Sequence, residues 1–444
     1  MRNLLITFIT LTLIACGGSG GSSASTKVIN TVDKQLDDNL QALIKSQDLN
    51  ALLIDQSKYP KPEGALFELG RQLFFSKSLS RDFETACVSC HHPYLGGGDA
   101  LSLPVGVGAV DLSLLGPGRV HNGNREVDPL ADGGPNVARK SPTTFNIALY
   151  NRSIFWDGRI EVLSPEVRLH GQGQSIRTPD SLFNFKDSDA GDNLSQAQAR
   201  FPITSINEMF GHGIGVSIVN QLRRLIIENR FKGIGAEAGD LPINNWLSLF
   251  QQAYGDTSSE VAEVVTLTRI TAALSHYQQT QLLVNNPWFS YLQGDTTAIS
   301  DDVKRGALLF YKPLVDGGYA CSTCHVGANF SDEKYYNLAM PQFGRGKDKN
   351  NFDTGRLPIS GDSADKYRFR TPSLLNTEVT GPWGHVGAFI ALKDVVSHHL
   401  NVETSLSEYD YTLGSLNQYQ YVPIDSNRIK NLVDRALEVL KTSD

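Results

Sequence analysis

The pattern Cys-x-x-Cys-His occurs twice in this chain and constrains its fold more than any other feature. Its cysteines and histidines are Cys87, Cys90, His91, Cys321, Cys324 and His325. In this pattern two thiols can add to the vinyl groups of a haem, and the next imidazole is placed to ligate the iron. A redox dithiol or half of a zinc site is the alternative, but zinc would have to join two distant motifs and leave the repeated histidine unexplained. The sequence therefore predicts two covalently attached c-type haems.

The N-terminus indicates export. Residues 4–15 form an apolar segment that is too short to span a bilayer as a helix, which is typical of a signal peptide over residues 1–15. The segment ends in Ala15-Cys16-Gly17, which resembles a bacterial lipobox in which Cys16 is acylated. An ordinary secretory signal with an incidental cysteine is the alternative.

The residues after Cys16 favour the lipoprotein. Residues 16–26 are rich in Gly and Ser and are suited to a flexible tether. Gly17 stands where inner-membrane lipoproteins usually have aspartate, which favours the outer membrane. We therefore expect a periplasmic protein held to the membrane by its lipid anchor only.

Composition excludes other classes. The net charge is −7 and there is no long basic run, so nucleic acid is not an expected partner. No later segment is apolar and long enough to cross a membrane. The length of 444 residues allows two or three domains.

Each haem motif follows a similar amphipathic run, at residues 70–75 and 306–311. The shared order of helix, loop and motif favours an ancient duplication over two unrelated helices. We predict an N-terminal haem domain with middle helices over residues 27–296, and a C-terminal haem domain over residues 297–444. The first would be peroxidatic and the second would transfer electrons, as the resemblance below implies.

Periodicity predicts helices over residues 217–228, 260–283 and 428–441. Residues 96–140 are rich in Gly, Pro and Asn and read as ordered loop. No sustained strand alternation is present. The predicted fold is mainly α, with two cytochrome c-like haem domains and extensive irregular loops.

From about Leu66 to His399 the chain resembles the bacterial di-haem cytochrome c peroxidase family, which includes the MauG-type enzymes. The most specific segments are residues 142–149 and the string Phe-Trp-Asp-Gly-Arg at residues 155–159. The resemblance implies that Trp156 lies between the haems and helps electrons to pass. A tryptophan of the core is the alternative, and both can hold.

The resemblance also implies a catalytic carboxylate. Asn207-Glu208-Met209 matches the family's distal Glu-Met pair. Glu208 would move a proton between the two oxygens of peroxide. A surface glutamate is the alternative, since the match crosses an insertion at about residues 170–200. The family's second distal polar residue, usually Gln, falls at Glu166.

At haem one the resemblance makes His91 the proximal ligand. In many family members a loop histidine closes the other face of this iron, but here Val107 occupies its position. Haem one is therefore expected to be open. His121 could substitute as the closing ligand, but we favour a solvated loop histidine.

At haem two the resemblance makes His325 the proximal ligand. The family supplies Met or Tyr as the sixth ligand, and His399 occupies that position here, with His398 as its rival. Two imidazoles give a lower reduction potential than His with Met.

The family also holds a calcium ion between its domains. Asn146 matches its Asn ligand, and residues 370–372 resemble the segment that supplies backbone carbonyls. Family members often form homodimers, and we expect the same here.

Three functions are compatible with these features. The first is reduction of hydrogen peroxide to water with electrons from a small periplasmic cytochrome c or cupredoxin. The second is a MauG-type oxidase that modifies a partner protein through a high-valent iron state, which the missing loop histidine and the non-Met ligand favour. The third, a non-enzymatic electron-transfer lipoprotein, needs both irons closed. We adopt the peroxidase because that activity is common to the family.

Overall fold

A computed structural model describes residues 31–213, 219–241, 246–347, 352–413, 416 and 426–443. The predicted signal peptide, Cys16 and the tether lie outside these residues. Within them, no helix combines the length and the apolar character that a membrane span requires.

Regular structure is mostly helical, with little sheet. The helices are α1 (Thr31–Ser46), α2 (Ala65–Phe75), α3 (Cys87–Cys90), α4 (Leu194–Gln198), α5 (Asn220–Lys232), α6 (Trp246–Tyr254), α7 (Val261–Val264), α8 (Leu267–Gln279), α9 (Pro287–Leu292), α10 (Asp301–Tyr311), α11 (Leu357–Ser360), α12 (Leu392–Leu400), α13 (Val402–Glu408) and α14 (Ser426–Leu440). The mainly α prediction is confirmed.

Short antiparallel strands frame the segment that contains Trp156. They are β1 (Ser153–Ile154), β2 (Ile160–Val162) and β3 (Ile176–Arg177), in the order β1-β2-β3, and a separate pair β4 (Tyr335–Tyr336) and β5 (Phe369–Arg370). Ile154 lies opposite Ile160, so residues 155–159 form the turn of a hairpin.

The predicted middle helices differ from the observed ones at their ends. The predicted helix 260–283 is divided, because Thr266 has extended backbone and its side chain accepts a hydrogen bond from Arg269 N at the start of α8. α5 continues past residue 228 to Lys232, where Gly233 ends it in the left-handed conformation with φ 66°. The closing helix is present as α14.

The helix before each haem motif packs into a different core. α2 lies on α8, and a side chain at Gly70 would place its Cβ 2.1 Å from the Ala273 carbonyl oxygen, so only glycine permits this approach. α10 instead packs against α1, with Leu40 and Ile44 in the shared core. The second haem unit therefore includes an N-terminal helix, and packing crosses the boundary predicted at residue 296.

Candidate active site

The first haem motif forms the short helix α3 and presents His91 in a defined orientation. Ser89 Oγ accepts a hydrogen bond from Ala86 N and so fixes the start of the helix. His91 Nδ1 lies 3.2 Å from the Gly97 carbonyl oxygen, to which it donates. Burial lowers the pKa of His91 to about 4, so the ring is neutral at neutral pH. Its Nε2 lone pair is therefore available to a metal.

A deep cleft opens beside this motif, with an empty volume of about 1390 Å³ that includes the part open to solvent. The predicted residues that line it are Cys87, Cys90, His91, Trp156 and Glu208. Two thiols and a neutral imidazole at one cleft fit a c-type haem.

Backbone contacts on both sides hold Glu208 at the cleft. Its carbonyl oxygen accepts a hydrogen bond from Thr85 Oγ1 at 3.0 Å, two residues before the first cysteine of the motif. The next carbonyl, of Met209, accepts bonds from Arg81 N and Ser80 Oγ. Among the described residues no side chain hydrogen-bonds the Glu208 carboxylate. The carboxylate is therefore free to exchange protons with a molecule in the cleft.

The loop that contains Val107 is fixed to the Glu208 segment. Val107 N donates to the Asn207 carbonyl oxygen at 3.1 Å, and Asn136 Nδ2 donates to the Val107 carbonyl oxygen at 2.8 Å. A Cβ at Gly106 would lie 2.0 Å from the Asn207 carbonyl oxygen, which only glycine tolerates. Val107 itself is buried and has no group that can bind iron.

His121 is buried, with 6% of its surface exposed, so the expectation that it is solvated is wrong. Its Nδ1 accepts a hydrogen bond from Gly123 N, so the proton is on Nε2, which lies 4.0 Å from Asp128 Oδ2. Arg345 forms an ion pair with the same carboxylate. His121 does not line the cleft, and its Nε2 proton faces a carboxylate. Nothing here supports His121 as a closing ligand.

Glu166 lies outside the cleft. Its side chain is 60% exposed and pairs with Arg168 at 3.1 Å on the surface. The structure therefore does not bring Glu166 to the active site. Other polar side chains line the cleft instead and were not predicted. They are Gln198, Gln278, Arg159 and Lys347.

Trp156 connects the two halves of the molecule. Its indole N–H donates to the Lys140 carbonyl oxygen at 2.9 Å, and its own carbonyl oxygen accepts from Arg370 N at 2.8 Å. These two partners, Lys140 and Arg370, each stand two residues before a proline. The backbone of the first proline, Pro142, interacts with His91, and that of the second, Pro372, interacts with His325. Trp156 therefore lies between two equivalent segments, each next to one haem motif.

The same two segments meet at a pair of asparagines. Asn146 and Asn376 both have left-handed backbone, with φ 59° for each, and both precede a 3-10 turn. Asn146 Nδ2 donates to Asn376 Oδ1 at 2.7 Å, while Asn146 Oδ1 accepts from Leu283 N at 2.7 Å. An amide oxygen has two lone pairs, so this bond leaves one of them open, and the expected calcium ion stays a prediction.

The second motif has the same histidine geometry. His325 Nδ1 donates to the Phe330 carbonyl oxygen at 3.0 Å, which leaves Nε2 available to a metal. Burial lowers the pKa of His325 and the hydrogen bond to Phe330 raises it. Burial has the larger effect, so the pKa lies below its ordinary value. His399 is close enough for its charge to oppose protonation of His325.

The two candidates for the sixth ligand differ in their contacts. Both nitrogens of His398 are engaged, by Leu338 O at 2.8 Å and Ser405 Oγ at 3.0 Å, and the side chain is fully buried. His399 Nδ1 donates to Val395 O at 2.8 Å, which leaves its Nε2 available. Leu392 and Val396, on the same side of α12, are exposed apolar residues that a haem would cover. The geometry favours His399.

Comparisons with known proteins identify the family of this chain. The family model for di-haem cytochrome c peroxidase matches residues 64–297. The methylamine utilization protein MauG of Methylorubrum extorquens is 26% identical over 88% of this chain and 84% of its own length. Cytochrome c551 peroxidase of Pseudomonas aeruginosa is 26% identical over 74% of this chain and 70% of its own length. The crystal structure of the diheme peroxidase BthA from Burkholderia thailandensis has a TM-score of 0.52 at 16% identity, over 88% and 87% of the two chains. The family model spans more than half of the sequence, and the chain belongs to the di-haem cytochrome c peroxidase family.

Proposed function

We propose that this protein is a peroxidase that reduces hydrogen peroxide to water in the cleft beside His91. The observation that carries the proposal is the arrangement of Glu208 and His91 around one cleft, with no protein partner for the carboxylate among the described residues. A haem held by Cys87, Cys90 and His91 would supply the redox chemistry and an open iron position for peroxide.

Glu208 acts on the protons of the substrate. Its carboxylate takes a proton from the peroxide oxygen nearer the iron and delivers it to the farther oxygen, which then leaves as water. Two further protons and two electrons complete the conversion of one peroxide to two waters. Thr85 and Ser205 hold the backbone of Glu208, so the segment that carries the carboxylate stays at the cleft during this transfer.

The electrons are proposed to come from a small periplasmic cytochrome c or cupredoxin and to enter at the second haem. His325 and His399 would supply the two ligands of that haem, and an iron with two strong ligands passes electrons and does not bind peroxide. Trp156 lies between the segments next to the two motifs, which supports its role in the transfer.

The test compares Glu208→Gln with Glu166→Gln in the holoprotein. Both change a carboxylate to an amide of the same shape, but only Glu208 lines the cleft. General acid–base catalysis is worth about 10²–10⁴-fold, so peroxide-driven oxidation of a reduced small cytochrome c should fall by about that factor in Glu208→Gln alone. Equal activity of the two variants, with unchanged haem spectra, would refute the role of Glu208.

A MauG-type oxidase remains the second candidate, because Val107 replaces the loop histidine and His399 replaces a Met or Tyr ligand. In that case peroxide would change the haem spectra without donor turnover, and a partner protein would be oxidised. Mass spectrometry of proteins incubated with peroxide and the holoprotein would identify the modified side chain.

Export, acylation of Cys16 and attachment to the outer membrane complete the proposal. Cys16→Ala should release the protein from the membrane fraction while peroxide turnover persists. Homodimer formation is also retained as a proposal, and sedimentation of the soluble holoprotein tests it.

A further inference from the structure

Four cationic residues line the cleft: Arg139, Lys140, Arg159 and Lys347. Arg139 and Lys140 are buried, whereas Arg159, in the turn of the β1–β2 hairpin, is partly exposed and Lys347, from the C-terminal half of the chain, is exposed. Arg159 and Lys347 have no part in the proposed proton or electron transfer.

The nearby carboxylates are already occupied by a third cation. Arg139 donates to both oxygens of Asp353, at 2.5 and 2.7 Å, and its Nη1 lies 2.5 Å from Asp157 Oδ2. Asp353 also accepts from Gly355 N. The cluster therefore holds three cations against two carboxylates, and Arg139 uses most of the carboxylate oxygens.

Arg159 and Lys347 are left with little compensation. Arg159 Nη1 lies 3.3 Å from Asp157 Oδ2, and its guanidinium stacks 3.7 Å above the Phe155 ring. Lys347 has no ion pair with any described residue. The charge of Arg159, ahead of burial, lowers the pKa of Lys347 to about 7. The two cations therefore repel each other across the cleft wall, and an anion between them would remove this repulsion.

We propose that Arg159 and Lys347 form a carboxylate-binding site inside the cleft, and that its ligand is a propionate of haem one. A guanidinium binds a carboxylate with two parallel N–H bonds, and an ammonium adds a second, compact charge. The thiols of Cys87 and Cys90 and the His91 ring line the same cleft and would hold the haem there, and a haem carries two propionate carboxylates. A free carboxylate from solution has the same chemistry and is the competing source.

This inference rests on haem attachment at residues 87–91 and not on the peroxidase reaction. A positive charge at the edge of a haem favours the ferrous state, so its removal lowers the reduction potential. The charged groups that face Lys347 are Arg139, Arg159, Asp157 and Asp353, and they stay in place when only Lys347 is changed.

The test measures the reduction potential of haem one by spectroelectrochemistry at pH 7, without peroxide. In Lys347→Gln the ferrous-to-ferric ratio at a fixed potential should fall about tenfold, which is 59 mV for one electron. Lys430→Gln removes the same charge from an ion pair on the exposed face of α14 and should match the wild type. Lys347→Arg keeps the charge and should also match it.

Formate is the probe for the competing source. In one outcome the two proteins have the same haem-one potential without formate, and formate shifts the potential of the wild type but not that of Lys347→Gln. The site then takes a free carboxylate, and the propionate assignment is overturned. Equal potentials with no formate effect overturn the site altogether. If Lys347→Gln does not fold, a changed potential in Lys347→Arg at unchanged charge overturns the proposal.

Discussion

Arg139 joins the two halves of the chain through a buried ion-pair cluster, and its removal should be costly. Its side chain is 7% exposed, and those of Asp157 and Asp353 are 4% and 2% exposed. Arg139→Met leaves two buried carboxylates without their main partner. Removal of one partner of a buried ion pair costs about 3–5 kcal/mol, and we expect a loss of unfolding free energy in that range.

The contacts of Arg139 also predict how much of this loss of unfolding free energy comes from Asp353 alone. Asp353→Asn keeps the contact with Gly355 N, and Arg139 keeps Asp157, so a smaller loss of about 1–3 kcal/mol is expected. The double variant of Arg139→Met and Asp353→Asn should lose about 0.5–3 kcal/mol less unfolding free energy than the two single variants lose in sum, because both changes break the same contact.

Urea unfolding followed by circular dichroism and by haem absorbance measures these losses, and coincident transitions are required for the comparison. Burial alone would raise the pKa values of Asp157 and Asp353, but the charge and hydrogen bonds of Arg139, together with neighbouring cations, outweigh it and lower both. The contribution is therefore complete at neutral pH and is lost as the pH falls below the ordinary Asp value. A loss under about 1 kcal/mol in Arg139→Met would refute the reasoning.

Three further results are expected. Trp156→Phe loses one hydrogen bond, so stability should fall by only about 0.5–1.5 kcal/mol, whereas donor-driven peroxide turnover should slow markedly; equal turnover would contradict the transfer role. His399→Ala should convert haem two from a low-spin to a high-spin absorbance spectrum, and His398→Ala should not; the opposite pattern would assign the ligand to His398. Burial lowers the pKa of His170 to about 4, so the folded state resists its protonation and stability should fall by about 3 kcal/mol between pH 6.5 and 4. Urea unfolding at several pH values tests this, and a pH dependence unchanged in His170→Gln would contradict it.

Contiguous motifs carried most of what the sequence could predict about the site. The haem motifs, Trp156 and Glu208 each stand in a short diagnostic string, and the structure places residues of the first motif around one cleft with Trp156 and Glu208. Glu166 was reached only by counting ten residues from Trp156, with no motif of its own, and the structure places it on the surface.

Burial and contacts between distant segments were not predictable in this way. His121 lies in a loop of polar composition, yet Asp128 and Arg345 surround it, and Arg345 is more than 200 residues away. Lys347 comes from an equally remote segment. Gln278 had no distinguishing local signal, because Thr271 and Ser275 are also polar residues on the buried face of α8. The division of the predicted helix 260–283 did have one, since Thr266 is a favourable N-cap residue.

The amide pair of Asn146 and Asn376 has a consequence for the history of the molecule. Equivalent positions of two repeats contact each other here, as residues do across the two-fold axis of a homodimer. Duplication of a self-associating haem unit within one chain would leave such a contact. In a homodimer every substitution changes both haems at once. Fusion would remove that constraint, so that Val107 and Glu208 could arise beside one haem and His399 beside the other.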